Sequence, residues 1–193
     1  MTSRDKILNQ ITASKPSLVE LPEIDSSVLI NYDDLFVEFK RVLESIGGSV
    51  IEVNDLSAIK EMIHTEIGDG LTMVNTVPEL GKVHSYLQFL TAYILAGVDT
   101  AYIKGTIAVA ENGAVWLYET QMLNRLLPFI CQHLVLIIEK KNIVATMHQA
   151  YQKIDIAREG FGVFIAGPSK TADIEQSLVI GAHGPRSLTV YLV

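Results

Sequence analysis

The chain has 193 residues, 49% of them apolar and 19% charged, and its 15 basic and 22 acidic side chains give a formal net charge of −7. This length suits one domain, or a domain with a small helical appendage, able to bury roughly 70% of its unfolded surface without a metal or a disulfide, and the apolar content excludes disorder. A pI near 5.2 excludes a duplex nucleic-acid binder built on a basic face, and a mean hydropathy of +0.30 points to two-sided burial or to the buried interface of a homo-oligomer.

Residues 3–12 predict a short helix with Ile7, Leu8 and Ile11 on one face, and residues 13–31, with two prolines and several serines, predict an extended connection wrapped over the body. The stretch YDDLFVEFKRVLESIGG is the clearest helix: Leu35, Phe36, Phe39, Val42, Leu43 and Ile46 recur at helical spacing, Asp33 and Asp34 suit its positive end, and Gly47-Gly48 stop it. SVIEV then reads as a strand, residues 55–68 as a helix, LTMVNTV as a strand and residues 84–95 as a helix. The run YLQFLTAYILAGV is interrupted by Gln88 and Thr91 and falls short of a membrane span. With no apolar signal-type stretch at the N-terminus, a cytoplasmic protein is expected.

AYIKGTIAVA and AVWLYET flank Glu111-Asn112-Gly113, and Asn-Gly between two apolar runs predicts a hairpin, placing an antiparallel pair in the middle third of the sheet. HLVLIIE reads as a strand, IVATMHQAYQKI as a helix and FGVFIAG as a strand. TADIEQSLVIG reads as a short helix and SLTVYLV as the final strand, closing with a right-handed parallel βαβ unit. The whole predicts an α/β fold, a layered mixed, largely parallel sheet flanked by helices over residues 32–193, preceded by a helical and extended segment over 1–31.

The segment GPSKTADIEQSLVIGAHGPR concentrates the polar candidates. Ser169 or Thr171 can cap the helix expected to begin there, and Asp173 and Glu175 favour its first turn. Free N–H groups after Gly167, helped by Lys170, can hold a small phosphate or carboxylate. His183 and Arg186 are candidates for anion or acid–base work. A helix between the two loops would hold His183 and Arg186 roughly 15 Å from Gly167, which leaves two options: one compact site that needs an unusual bend or a second subunit, or Arg186 as a clamp on Asp173, Glu175 or helix-end carbonyls. Glu111, on a tight turn beside apolar strands, is a candidate nucleophile or base, or an exposed turn residue. The single cysteine, Cys131, sits in an apolar run as a buried thiol, and one cysteine cannot build a four-thiolate cluster. No histidines stand at metal-ligand spacing, so no metal site is expected.

AVAENGAVWL, LLPFICQHLVLII and FIAGPSKTADIEQSLVIGAHGPRSLTVYLV together resemble the LUD-domain family. The resemblance implies a fold like glucosamine-6-phosphate deaminase, ribose-5-phosphate isomerase and the class I CoA transferases. It also implies an accessory role in oxidising L-lactate to pyruvate beside iron–sulfur partner proteins, with no cofactor in this chain. Carried over by position, the family's signature falls on Glu111 and Gly113, on Pro128 and His133, on Gly167, Pro168, Ser169 and Thr171 through Glu175, and on Gly181, His183, Gly184, Pro185 and Arg186. Asn112 stands where the family usually has threonine, and Glu-Asn-Gly is similar to the motif of class I CoA transferases, whose glutamate carries CoA as a thioester. The alternatives are therefore an independent enzyme on a small carboxylate, CoA ester or phosphosugar, and a regulatory small-molecule binder.

Overall fold

A computed structural model describes residues 2–20, 22–25, 28–67, 72–83, 85–172, 178–181 and 183–193. The first helix, α1 (Ser3–Ala13), opens with a reciprocal cap in which the Thr2 hydroxyl accepts from Asp5 N–H and the Asp5 carboxylate accepts from Thr2 N–H. Every described residue from 2 to 28 is exposed, so the connection is not wrapped over the body as expected.

Helix α2 (Leu35–Ser45) follows the predicted pattern. The Asp34 carboxylate accepts from Phe36 and Val37 N–H at its start, and Phe39 and Leu43 are fully buried, each worth about 1.5–3 kcal/mol of burial. Next come β1 (Ser49–Glu52), α3 (Leu56–Ile67) and β2 (Met73–Asn75). The helix expected over 84–95 is a 3₁₀ turn over Ser85–Phe89 and the one-turn α4 (Ala92–Leu95).

The apolar run before the Asn-Gly turn divides in two, β3 (Thr100–Lys104) and β4 (Ile107–Val109), followed by β5 (Ala114–Tyr118), α5 (Glu119–Met122), α6 (Leu127–Ile130) and β6 (His133–Ile138). Ile143–Val144, expected to be helical, form β7, and α7 begins later (Met147–Lys153). The short α8 (Ile156–Glu159), β8 (Gly162–Ile165), β9 (Lys170–Ala172), β10 (Leu178–Ile180) and β11 (Ser187–Leu192) complete the order.

A five-stranded sheet has the order β1-β11-β6-β3-β2 with every pair parallel. A second sheet, β7-β4-β5-β8, holds the predicted hairpin as β4/β5. The antiparallel pair thus lies beside the main sheet and not within it. Alternation along the strands builds three cores. Leu134, Leu136 and Ile138 of β6 face a central core shared with α2 and with Ala108, Val115 and Leu117 of the second sheet. Val135 and Ile137 face the opposite side, under Ile59 and Ile63 of α3. Trp116 and Val109 turn away from the centre, toward Ala150 of α7. The high hydropathy is this two-sided burial of both sheets. No helix among the described residues is long and apolar enough to cross a membrane.

Cys131 is fully buried, and desolvation pushes its thiol up to about 12. A raised value keeps the thiol neutral at pH 8, so Ellman's reagent is expected to titrate no thiol in the folded protein and one in guanidinium. Rapid labelling of the native protein would contradict this burial.

Candidate functional site

The tail departs from the expected helix. β9 and β10 pair antiparallel, Lys170 opposite Ile180 and Thr171 opposite Val179. β8 lies in the second sheet, antiparallel to β5, while β11 lies in the first, so the segment between them closes no βαβ unit. Asp173 and Glu175 lie outside the described residues, and with them the proposed clamp by Arg186. The Ser169 N–H donates to Pro185 O at 2.9 Å and Ser169 O accepts from Gly181 N–H at 3.0 Å. The Ser169 amide is therefore not a free donor at a helix start.

This stitching replaces the expected 15 Å separation with direct contact. A Cβ added at Gly184 would lie 2.9 Å from Ser169 Cβ, so the loops approach as closely as a glycine allows. They border one depression of about 290 Å³, with Gly167 and Pro168 buried and with Phe129, Ser169, Lys170 and His183 around it. Arg186 is exposed, does not line the depression, and is fixed through its backbone N–H to Gln132 O at 2.7 Å. Phe129, which follows the signature Pro128, was not among the sequence candidates. An exposed phenylalanine inside LLPF is the only local signal for it.

Glu111 and Asn112 do not line this depression. The Glu111 carboxylate accepts from Met147 N–H at 2.5 Å, at the first residue of α7, and the Glu111 N–H donates to Ala145 O at 3.1 Å. The Asn112 side chain accepts from Ala114 N–H at 3.0 Å and closes the turn. Partial burial, then the charges of Glu38 and Glu111, raise the Tyr32 phenol above its ordinary value. In this geometry the carboxylate caps a helix, an arrangement favoured by the helix dipole. Glu111→Ala is expected to cost about 1–2 kcal/mol in urea unfolding and Glu111→Gln about half of that; equal, negligible costs would remove the capping role.

The turn and the tail loop lean on the same helix. A Cβ at Gly113 would stand 3.0 Å from Leu43 Cα, and one at Gly167 would stand 2.9 Å from Ile46 O. Both glycines have positive φ, +68° and +73°. His133 is elsewhere, exposed at the start of β6, its Nδ1 2.7 Å from Ser187 Oγ.

The sequence model of the LUD domain matches residues 92–193. The chain belongs to the LUD domain family. Among relatives of this LUD domain chain, lactate utilization protein C of Bacillus pumilus is 39% identical over 200 aligned positions, covering 89% of this chain and 83% of the relative. The proteins of the same name from Shouchella clausii and Geobacillus kaustophilus are 40% and 34% identical over 92 and 122 positions, which span 45% and 60% of this chain. In those two alignments this LUD chain spans less than half of the relative, 40% and 48%. A crystal structure of a DUF162 family protein from Deinococcus radiodurans superposes with a TM-score of 0.63 at 19% identity, covering 82% of this chain and 96% of that one, which establishes the shared fold.

Proposed function

We propose that this LUD domain chain serves lactate utilization in the cytoplasm as an accessory component without a redox centre of its own, acting beside iron–sulfur partner proteins. The observation that carries the reading is the 39% identity to a lactate utilization protein C across 89% of the chain. Oxidation of L-lactate to pyruvate releases two electrons and two protons, so the electrons need an acceptor. The one thiol of this chain is buried and neutral and cannot hold a four-thiolate cluster, which is in keeping with a carrier on partner proteins. The depression beside Phe129 and Lys170, bordered by both signature loops, gives such a partner or a small ligand a surface to read. Glu111, held on the Met147 amide, favours architecture over a thioester-forming role.

The test is reconstitution. Cells lacking this gene are expected to lose growth on L-lactate. Its co-purified partners are expected to reduce a dye acceptor with L-lactate faster when this chain is present. Equal rates with and without it would overturn the reading, and lactate or CoA-ester turnover by the isolated chain would make it an enzyme instead.

A further inference from the structure

Away from the signature loops, a cleft of about 400 Å³ opens at the carboxyl edge of the five-stranded sheet, where β2 and β3 end. Open α/β sheets take their ligands at this edge, and the volume lies within the range of small-molecule sites. Its lining includes Thr76, Glu79, Lys104, Thr120, Gln121 and Leu123.

Four of these residues carry the argument. Lys104, the last residue of β3, holds its ammonium 3.0 Å from Glu79 and 3.5 Å from Glu139. The hydrogen bond to Glu79 raises its pKa first, and the two negative charges add to this, so it stays a fixed cation and not a nucleophilic amine. Gln121 Oε1 accepts from Tyr118 N–H at 2.8 Å and from Thr106 Oγ1 at 3.0 Å. A backbone N–H can only donate, so this contact fixes which end of the amide is oxygen and leaves the Nε2 protons for a guest. Leu123 has φ +59° and ψ −39°, and it is the one non-glycine residue with positive φ among the described residues. A leucine held there costs on the order of 1–3 kcal/mol, and strain of this kind gathers at ligand clamps. The segment after it is held in place by the Asn124 amide, which donates to Leu87 O and Leu90 O, and by the Arg125–Glu119 ion pair.

We infer that this cleft binds a small α-hydroxy carboxylate, its carboxylate on Lys104 and the Gln121 amide, its hydroxyl on Glu79, and its apolar end against Leu123. The Lys104 ammonium, although paired with Glu79 and Glu139, and the Gln121 amide are the donors this proposal assigns to a small carboxylate. The choice of an α-hydroxy acid among small carboxylates rests on the lactate-utilization reading.

Calorimetric titration of the full chain tests this, with L-lactate, propionate and inorganic phosphate as probes. L-Lactate is expected to bind, and propionate, which lacks the hydroxyl, to bind at least about fivefold more weakly, the worth of one hydrogen bond. Phosphate is expected to give no competing heat. Lys104→Met and Gln121→Glu should each weaken L-lactate at least about tenfold. Gln121→Glu keeps the acceptor for Tyr118 N–H and removes only the donors, so its melting temperature should stay near that of the parent. Lys60→Met, on α3, should leave binding unchanged. Absence of L-lactate binding, or binding that both cleft variants preserve, overturns the inference. The failures are separable: a chain that binds no lactate yet is required in the reconstituted reaction sinks the cleft alone, and a chain that binds lactate but is dispensable for growth sinks the accessory role alone.

Discussion

Gly113→Ala is expected to lower the unfolding free energy by about 2–4 kcal/mol. Two costs add. Alanine at φ +68° occupies a left-handed conformation that costs an L-residue roughly 1–2 kcal/mol. Its Cβ would also press on Leu43 Cα at 3.0 Å and Leu43 N at 3.1 Å, backbone atoms of α2 that, unlike the end of a flexible side chain, cannot swing aside, for about 1–2 kcal/mol more. At this chain length the melting temperature should fall by about 5–15 °C. Gly160→Ala is the internal control. Its φ of +73° is similar, but nothing lies within 4 Å of an added Cβ, so it should show the backbone cost alone. Equal losses for the two variants in urea unfolding would show that the turn does not press on α2.

Leu43→Ala is expected to cost about 3–4 kcal/mol, because Leu43 is fully buried in the core between the sheets and its truncation leaves a cavity. The same side chain sits over Gly48, where an added Cβ would meet Leu43 Cδ1 and Cγ at 2.7 Å. Gly48→Ala alone should therefore cost about 1–3 kcal/mol by overpacking. In the double variant the new methyl enters the space that Leu43 has vacated, and the losses should fall short of additive by about 1 kcal/mol. Strict additivity in a urea double-mutant cycle would contradict the interlock.

What the sequence revealed depended on range. The helix over 35–45 and the Asn-Gly hairpin were legible because a cap, a 3.6-residue period and a turn dipeptide are local signals. The β3–β4 break was missed although Gly105 marks it. A Cβ there would stand 2.5 Å from both Ile138 Cδ1 and Val115 Cγ1, so the chain passes between the two sheets at a point where only glycine fits. The tail misled for a different reason. Eleven residues holding Ile174 and Leu178–Ile180 satisfy a helical period, yet β-branched Thr171, Val179 and Ile180 pair in strands of three, too short for alternation to separate the two readings. That error set Ser169 and His183 apart when the structure joins them. Lys104, Glu79 and Gln121 escaped altogether, because ends of separate elements bring them together and no spacing along the chain records it.

The last turn of α2 is a strut shared by two lips. Leu43 stands under the Glu111 turn and Ile46 under the Gly167 loop, three residues apart, less than one turn of helix. Both lips therefore rest on one turn of backbone, so a shift of that turn is the one movement that would reach the tail depression and the carboxylate on α7 together. Probes attached at each lip test whether an event at one is felt at the other.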